Sequence, residues 1–480
     1  MFNAVIPTPK KIEELGGKIT VPFAICSEKP EWDEHLPVFC AAFEKMFSKN
    51  IEIARGGIVI KYDPLLKSSA YTINSENDIT VYASDTEGLF YSMATLLMAV
   101  SLSDDGITLS KVHVEDYPEK DYRALMVDLA REWHPLHTLY QYIDLCFILK
   151  VRYLHLHFID DQRYTLPSKA FPLLPNPTQS YSAEEIASVC EYAKQRGIII
   201  IPEFEAPGHA GRLVKCYPEI FANDTDASED DVLITEQGVV ITSDNIVCAG
   251  NPKTMEAIET LLKEMCEFFP DAPYIHIGGD EANINVWAKC SECRKYMQEN
   301  GIDGIGDLYS EFVGRVAQIV VDMKKTPIVW EGFPLKGASR IPKETIVIAW
   351  ESYYQTPQDL IDAGFKIINA SWQPLYVVSN IKYRWSAFDI LKWNVYNWQH
   401  WWNKSKAHLN PINIQPTDEL LGAELCAWES TFEQEINLVI ENLSALSERT
   451  WTVARLWNDS EYYYRFKGTY LRIARLVQEL

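Results

Sequence analysis

The stretch Tyr274-Ile-His-Ile-Gly-Gly-Asp-Glu281 decides the fold and points to the chemistry. Its apolar, β-branched first half predicts a buried strand that ends at the two glycines. Glycine lets the backbone turn sharply and lets a ligand approach closely. Two adjacent carboxylates repel each other at the end of a buried strand, which costs stability unless function gains from it. We predict acid catalysis there; an acidic pair at a helix N-cap is the alternative.

Strands and helices alternate from Arg123 onward. The predicted strands are Ala124–Leu129, Tyr153–Phe158, Ile198–Pro202, Tyr274–Ile277, Pro327–Trp330, Thr345–Trp350, Phe365–Ala370 and Leu421–Ala427. Eight strands over about 310 residues are typical of an α/β protein with a (β/α)8 TIM barrel. A doubly wound open sheet is less favoured, because no Gly-rich phosphate loop follows the first strand.

The two ends of the chain have different patterns. Residues 1–117 predict a small, non-catalytic α+β domain, with strands at Ile19–Ile25, Gly57–Tyr62, Ala70–Ile73 and Ile79–Ala83 and helices at Asp33–Phe47 and Asp85–Ser101. Residues 118–432 form the predicted catalytic barrel. Residues 433–480 read as a C-terminal helical extension that packs on it.

Composition excludes several classes of partner. The chain has 480 residues, 47% of them hydrophobic, and a net charge of 44 − 67 = −23. That charge disfavours nucleic acid and anionic membrane surfaces. No signal peptide or membrane-spanning run is predicted, so we expect a cytoplasmic location.

Cysteine usage agrees with that location. The ten cysteines are scattered, which suits reduced and buried thiols. Cys290-Ser-Glu-Cys293 is a single CxxC with no second pair or nearby histidines. We interpret it as a helix end that carries two thiols, and we predict no metal and no cofactor.

Polar and aromatic side chains collect at the ends of the predicted strands, where barrel enzymes place their chemistry. They include Asp128, His155–Gln162, Glu203–His209, Asp280, Glu281, Trp330, Glu331, Trp350, Glu351, Trp428 and Glu429. Indole rings stack on the C–H faces of sugars, and hydroxyls need charged or polar partners. Together these residues predict a binding site for one hexose.

Consecutive carboxylates do not readily flank a glycosidic bond from opposite faces. Conventional glycosidases need two carboxyl groups roughly 5–9.5 Å apart, one on each side of the bond. Two neighbouring carboxylates such as Asp280 and Glu281 can instead have different tasks. Substrate assistance explains this better, because there the 2-acetamido oxygen of the substrate attacks the anomeric carbon.

Several segments resemble glycoside hydrolase family 20, the β-N-acetylhexosaminidases. They are Arg123–Arg131, Leu154–Gln162, Pro202–His209, Tyr274–Glu281 and, in the first domain, Glu87–Leu97. The resemblance implies a retaining exo-enzyme that acts on β-linked GlcNAc or GalNAc glycans through an oxazolinium intermediate.

The resemblance also implies roles for individual residues. Glu281 corresponds to the general acid and Asp280 to the residue that orients the acetamide. Asp160 and His209 match a relay toward the acid, and Tyr376 matches the tyrosine that binds the acetamide carbonyl. The implied substrate-binding residues are Arg123, Trp330, Trp350, Trp428 and Glu429.

Two departures from the family pattern leave GlcNAc versus GalNAc preference open. Many members carry an acid two residues after the tyrosine, where this chain has Val378. The eighth strand ends in Trp428-Glu429 rather than Trp-x-Glu. Both positions affect contacts to the 4- and 6-hydroxyls.

Other interpretations remain open from sequence alone. One is a sugar-binding protein on a degenerate barrel, and another is a metal-dependent hydrolase that uses His155, His157 and His209. The aromatic run Trp393–Trp402 could extend a sugar site, pack internally or line the interface of a homodimer.

Overall fold

The computed structural model describes residues 4–225, 233–234, 240–241, 245–379 and 384–478. Within these ranges the chain forms an N-terminal α+β domain, a closed barrel and a long C-terminal helix. No helix in the described ranges is both long and apolar enough to cross a membrane.

The N-terminal domain is built on one mixed sheet. Its strands, in spatial order, are Lys11–Val21, Gly106–Asp116, Tyr71–Asn74, Ile79–Ala83, Ile58–Tyr62, Ala24–Ser27 and Glu52–Ile53, with Ser101–Ser103 paired to the second of these. The 3-10 helix Pro30–His35 and the α-helices Leu36–Phe47 and Thr86–Ala99 complete the domain. Helix Thr86–Ala99 is buried almost all round, because it lies between the sheet and the barrel.

The predicted elements of this domain form, but their bounds differ and three further strands appear, Glu52–Ile53, Ser101–Ser103 and Gly106–Asp116. The predicted strand Ile19–Ile25 is two strands, one on each side of Pro22, which cannot donate to a sheet ladder. The strand Gly106–Asp116 was not predicted, although Ile107, Leu109 and Val114 alternate toward the core. Ser110-Lys111 interrupts that alternation.

Eight parallel strands close into the barrel. They are Tyr122–Asp128, Tyr153–His157, Ile199–Glu203, Tyr274–His276, Thr326–Trp330, Ile346–Ala349, Lys366–Asn369 and Leu420–Trp428. The seventh pairs with the eighth and the eighth with the first, so the sheet has no edge. The predicted TIM barrel is therefore confirmed, and the open doubly wound sheet is wrong. Most strand residues are buried, as expected when a parallel sheet is covered on both faces.

Helices cover the outside of the barrel. The first strand is followed by Leu136–Ile148, the second by Ala183–Gln195, and the third by Gly211–Cys216, Pro218–Phe221 and Pro252–Phe268. The fourth is followed by Asn285–Lys289, Ser291–Glu299 and Ile305–Asp322, the fifth by the 3-10 helix Leu335–Arg340, and the sixth by Pro357–Asp362. The seventh is followed by Trp372–Leu375 and Ala387–Lys392, and the eighth by Phe432–Trp451. Short strands lie in the loops at Leu233–Ile234, Val240–Ile241, Tyr376–Val378, Asn397–Trp398 and Ile412–Asn413. Ser182 and Glu185 form a capping box that fixes the start of the second helix.

The C-terminal residues form two helices with different partners. Phe432–Trp451 packs on the eighth strand and is the eighth helix of the barrel. Asp459–Val477 packs on the barrel helix Leu136–Ile148 and on Leu36–Phe47 of the N-terminal domain. The predicted boundary at 432/433 therefore falls before the last barrel helix.

A buried ion pair joins the N-terminal domain to the bottom of the barrel. Lys150 Nζ lies 2.9 Å from Asp116 Oδ2, and both side chains are fully buried. Trp451 donates its indole N–H to Asp116 Oδ1 at 2.7 Å. Asp116 ends the last strand of the first domain, so these contacts hold the two domains in one orientation.

Candidate active site

The acidic pair Asp280-Glu281 follows the fourth barrel strand at the carboxyl-end mouth of the barrel. Gly278 and Gly279 before it have φ of +69° and +98°, which L side chains rarely adopt. A Cβ on Gly279 would lie 2.4 Å from Val329 Cγ2. The glycines are thus required by both the turn and the close packing, as the sequence predicts.

Three polar residues around the mouth have strained backbones. Glu281, His209 and Glu429 have φ of 42°, 49° and 53°, in the left-handed region that non-glycine residues seldom occupy. Each comes from the end of a different barrel strand. Such outliers persist only where the surroundings hold them, and they cluster at functional sites.

His209 connects the acidic pair to a second carboxylate deeper in the barrel. Its Nε2 lies 3.4 Å from Glu281 Oε2 and 3.8 Å from Asp280 Oδ2. On the other side of the ring, Nδ1 lies 3.6 Å from Asp160 Oδ2. The structure therefore brings together four of the residues selected from sequence.

Charges around this chain of contacts favour an imidazolium between carboxylates. Burial alone would lower the pKa of His209, but Asp160 and the hydrogen bonds to Asp160 and Glu281 raise it well above its usual range. Burial alone would raise the pKa of Asp160, but the Arg131 guanidinium and His209 hold it well below. These pKa shifts favour an anionic Asp160 beside a cationic His209.

One oxygen of Asp280 is left without a hydrogen-bond donor by the described residues. Its Oδ1 atom is buried and has no hydrogen-bond partner among the described residues. Burial and the charge on Glu281 raise the pKa of Asp280 to about 6, although the positive charge on His209 opposes them. A buried carboxylate oxygen without a donor is costly, and a ligand N–H could satisfy it.

An aromatic wall faces the acidic pair. The rings of Trp372 and Tyr376 stack with centroids 4.6 Å apart, and Tyr376 stacks in turn on Trp350 at 6.1 Å. Trp330 lies 6.4 Å from Trp350 and 6.1 Å from Trp428. Four of these rings were selected from sequence; Trp372 was not. Tyr376 reaches the wall because the short strand Tyr376–Val378 pairs with the upper half of the eighth barrel strand.

Two of the indoles are anchored from below. Trp330 donates its N–H to Glu203 Oε1 at 2.6 Å, and Trp350 donates to the carbonyl of Glu331 at 3.0 Å. The indole N–H of Trp428 is buried and has no partner among the described residues. At the mouth, Trp428 and Asp280 thus each present a polar atom that no described residue bonds.

Known protein families match both domains of the chain. The family description "Glycosyl hydrolase family 20, catalytic domain" matches residues 121–454, and "Glycosyl hydrolase family 20, domain 2" matches residues 3–117. The chain belongs to glycosyl hydrolase family 20. The family resemblance drawn from the sequence is confirmed.

Curated relatives carry consistent names. The β-hexosaminidase of Vibrio furnissii is 27% identical over 348 residues, which are 68% of this chain and 55% of that protein. β-Hexosaminidase subunit alpha of Mus musculus is 26% identical over 411 residues, 80% of this chain and 70% of the mouse protein. The chain thus spans little more than half the length of the Vibrio relative.

Solved family 20 structures share the fold. The exo-β-N-acetylglucosaminidase of Vibrio harveyi, in complex with N-acetylglucosamine, superposes with a TM-score of 0.83 at 21% identity, covering 99% of this chain and 78% of that one. The β-N-acetylhexosaminidase of Bacteroides fragilis superposes with a TM-score of 0.79 at 22% identity, covering 98% and 96%.

The prediction that Arg123 binds substrate is wrong. Arg123 lies near the start of the first barrel strand, at the bottom of the barrel, and is fully buried. Its guanidinium donates to the carbonyls of Lys120 and Lys150 and to the hydroxyl of Tyr91. A strand has two ends, and only residues at its carboxyl end reach the mouth.

Arg131 is the arginine that reaches the mouth. It follows the same strand at its carboxyl end, where Asp128 Oδ1 accepts the N–H groups of Ala130 and Arg131 and fixes the turn. Its guanidinium lies 2.8 Å from Asp160 Oδ2, 3.7 Å from Glu429 Oε1 and 4.9 Å from the Trp428 ring. Its position after the strand is the sequence signal that identifies it.

Glu351 adds a further carboxylate to the site. It is buried after the sixth strand, and burial and the charges of Glu281, Glu331 and Asp280 raise its pKa well above the usual range. Glu331 differs, because its oxygens accept three backbone N–H groups, from Ser352, Tyr354 and Gln355. Glu331 is therefore structural, whereas Glu351 faces the acidic pair.

The histidines of the metal-hydrolase alternative do not converge. His155 lies inside the barrel, 3.2 Å from Glu203 Oε2 and 3.1 Å from Glu424 Oε1. His157 Nε2 lies 3.0 Å from Asp160, and His209 approaches that carboxylate with its other face toward Glu281. No cluster of metal-ligand type in the described ranges contains all three histidines.

The aromatic run Trp393–Trp402 mostly packs internally. Trp393, Trp398 and Trp402 are buried, and Trp398 donates its N–H to the carbonyl of Ala349 at 2.9 Å. The rings of His400 and Trp401 approach the wall, with centroids 5.8 Å and 5.6 Å from that of Trp372. Of the interpretations considered, packing behind the wall accounts for most of the run.

Proposed function

We propose that this chain is a retaining exo-β-N-acetylhexosaminidase that removes terminal β-linked GlcNAc, GalNAc or both from glycans by a substrate-assisted mechanism. The observation that carries the proposal is the convergence of Asp280 and Glu281 on one nitrogen of His209. A ligand atom of each of the three residues lies within 4.8 Å of the others. The two carboxylates thus approach the site from one side.

That placement supports substrate assistance over a conventional pair of carboxylates. An inverting pair needs about 6.5–9.5 Å between carboxyl groups to admit a water, and a conventional retaining pair needs one group on each face of the sugar. Asp280 and Glu281 meet neither requirement. A substrate whose own acetamide oxygen attacks the anomeric carbon needs only one acid and one group that orients the acetamide.

In this mechanism Glu281 protonates the leaving oxygen, and the acetamide oxygen closes the oxazolinium ring as the glycosidic bond breaks. Asp280 accepts the acetamide N–H on Oδ1, which no described residue bonds, and stabilises the positive charge that develops there. Tyr376 donates to the acetamide oxygen. Glu281 then removes a proton from the water that opens the ring, and His209 with Asp160 holds Glu281 in place.

The remaining residues bind the sugar. Trp330, Trp350 and Trp428 form the walls around the acetamide and the ring, and Arg131 with Glu429 binds hydroxyls at the open side. The names of the Vibrio and mouse relatives, both β-hexosaminidases, support this substrate class. A homodimer and a cytoplasmic location remain predictions, as does the absence of nucleic-acid and membrane partners.

The test is aryl-glycoside cleavage by the purified protein on β-GlcNAc, β-GalNAc and β-glucose substrates. We expect turnover of the acetamido sugars and none of the glucoside, because glucose lacks the internal nucleophile. Asp280→Asn should lower kcat on the acetamido sugars by about 10²–10³, the usual loss for one preorganised electrostatic group. A cyclic thiazoline analogue of the intermediate should inhibit the wild type competitively.

Equal turnover of the glucoside would contradict substrate assistance. In that case Glu351 is the candidate nucleophile, and Glu351→Gln should abolish turnover of both sugar classes. Binding of GlcNAc without cleavage of any substrate would favour the sugar-binding alternative.

A further inference from the structure

Three cysteines from two distant segments meet behind the candidate active site. Cys248 precedes the helix Pro252–Phe268, whereas Cys290 and Cys293 lie at the start of the helix Ser291–Glu299. Cys248 Sγ lies 3.6 Å from both Cys290 Sγ and Cys293 Sγ, and all three side chains are buried. The sulfurs are too far apart for a disulfide, which needs about 2.05 Å.

The spacing of the sulfurs fits a tetrahedral metal ion. Zinc–thiolate bonds of about 2.3 Å in a tetrahedron put neighbouring sulfurs about 3.8 Å apart. Contact between ordinary thiols gives a similar distance, so a second property is needed to separate the two. That property is the gathering of three buried sulfurs and one side-chain oxygen at a single point.

The three sulfurs form one buried cluster with a side-chain oxygen beside it. The sulfur atoms of Cys248, Cys290 and Cys293 all lie within 4.8 Å of one another. Asn223 Oδ1 lies 3.8 Å from Cys293 Sγ. Three sulfurs and an oxygen gathered at one point are a ligand set that zinc accepts.

The backbone is built to bring the two segments this close. A Cβ on Gly250 would lie 2.3 Å from the carbonyl oxygen of Glu292 and 2.5 Å from the nitrogen of Cys293. Trp287 is fully buried and donates its indole N–H to the carbonyl of Val247 at 2.9 Å. The segment before Cys248 and the segment before Cys290 are therefore fastened together beside the sulfurs.

We propose that Cys248, Cys290 and Cys293 bind a structural zinc ion as thiolates. Three sulfurs select a soft or borderline ion, and zinc accepts a tetrahedral site of this kind. The fourth ligand is an oxygen, either water or Asn223, whose Oδ1 lies 3.8 Å from Cys293 Sγ. Each thiol gives up its proton to solvent when the ion binds.

The ion would connect the two loops that carry the candidate catalytic groups. The segment at Cys248 is bonded to the His209 loop, because Asn245 accepts the N–H of Ala210 and Val247 donates to Pro207. Cys290 lies nine residues after Glu281 in the chain. A zinc ion here would fix the distance between His209 and Glu281 without touching substrate, and the inference does not depend on the proposed function.

The first experiment measures metal in the wild-type protein, purified without chelators. We expect about one zinc per chain by elemental analysis, released by a thiol-blocking mercurial and not by gel filtration. Titration with Co²⁺ after zinc removal should give the intense near-ultraviolet band of thiolate-to-cobalt charge transfer. A protein that holds less than a tenth of an equivalent, even after incubation with stoichiometric zinc, and gives no cobalt band would overturn the proposal.

The second experiment compares two buried cysteines. Cys290→Ser should lose at least tenfold in bound zinc and should lose the cobalt band. Cys146→Ser is the matched control, because Cys146 is equally buried but belongs to no cluster of metal-ligand type in the described ranges. Zinc should raise the Tm of wild type and Cys146→Ser but not that of Cys290→Ser. Full zinc content in Cys290→Ser would contradict the site; the cobalt band of the wild type decides if that variant does not fold.

Discussion

The first barrel strand carries an arginine near each end, and their surroundings differ. At the bottom, Arg123 has no exposed surface and gives its donors to backbone carbonyls and to Tyr91. At the mouth, the Arg131 side chain keeps 18% of its surface exposed and lies among the carboxylates of Asp128, Asp160 and Glu429. Arg123 therefore has a structural role, whereas the partly exposed Arg131 can also bind a ligand.

The same contrast holds for the two ends of the barrel. Buried charges at the bottom of the barrel are paired, as Lys150 and Asp116 are. The mouth has left-handed backbone at Glu281 and an unpartnered oxygen on Asp280 among the described residues. Proteins tolerate such local violations where function gains from them, and the stability is supplied elsewhere. Predictions for the two ends therefore separate stability from activity.

The largest expected effect is on kcat at the mouth. Glu281→Gln removes the proposed acid but keeps the shape of the side chain, so kcat should fall by about 10²–10⁴ while KM changes little. Because the change removes the repulsion between Glu281 and Asp280, Tm should stay level or rise slightly. Steady-state kinetics on an unactivated GlcNAc glycoside and a thermal melt measure both. A kcat within threefold of wild type would contradict the role of Glu281.

The two arginines provide the next comparison. Arg131→Met should lower kcat/KM by about 10–10²-fold through lost hydrogen bonds to a charged group, and it should also lower Tm because buried Asp160 loses its guanidinium partner. Arg123→Met should lower stability alone, because it leaves buried carbonyls unpaired and costs on the order of 3 kcal/mol of unfolding free energy. The molecules that remain folded should keep wild-type kcat/KM.

Denaturant melts and kinetics on active-site-titrated protein distinguish the two variants. A loss of kcat/KM in Arg123→Met without a loss of stability would restore the role that the sequence assigned to it. Unchanged kinetics in Arg131→Met would remove Arg131 from the substrate site.

The error over Arg123 shows which information the sequence carries. The run of apolar residues and the local composition identify the strand and its polar flanks. A buried parallel strand is mostly apolar, and polar residues mark its ends. Both Arg123 and Arg131 flank the strand, and only the direction of the chain through the barrel separates them. Applying the rule that chemistry lies at carboxyl ends to this strand would have selected Arg131.

Other features depend on packing that local patterns do not record. Trp372 joins the wall because the chain after the seventh strand turns back, so that Tyr376 pairs with the eighth strand and stacks on Trp372. Cys248 lies 42 residues before Cys290 in sequence and within 3.6 Å of it in space. In contrast, Gly278-Gly279 was predictable, because only glycine suits both that turn and that close contact.

The pH dependence tests the charge balance at the mouth. Asp280 must be ionised to polarise the acetamide, so kcat/KM should fall as the pH drops below about 6, the raised pKa of Asp280. The positive charge of His209 lowers the pKa of Asp280, so His209→Gln should raise that pKa and move the acid limb to higher pH. Profiles of kcat/KM for wild type, His209→Gln and Asp280→Asn check this. An acid limb that stays in place in His209→Gln would contradict the coupling.

The smallest effect concerns the choice between sugars at the rim of the mouth. Val378 is half-buried and pairs with Trp428, next to Arg131 and Glu429. GlcNAc and GalNAc differ only in the 4-hydroxyl, which lies in the plane of the ring in GlcNAc and projects out of it in GalNAc. A carboxylate at position 378 would accept a hydrogen bond from the in-plane hydroxyl, so Val378→Asp should raise the GlcNAc/GalNAc ratio of kcat/KM by about 2–10-fold.

Val378→Thr is the control, because threonine has the shape of valine and lacks the charge of aspartate. It should leave the ratio within 1.5-fold of wild type, roughly the scatter expected of a neutral change. If both variants change the ratio equally, the strand edge sets the preference through shape, and the carboxylate contributes nothing.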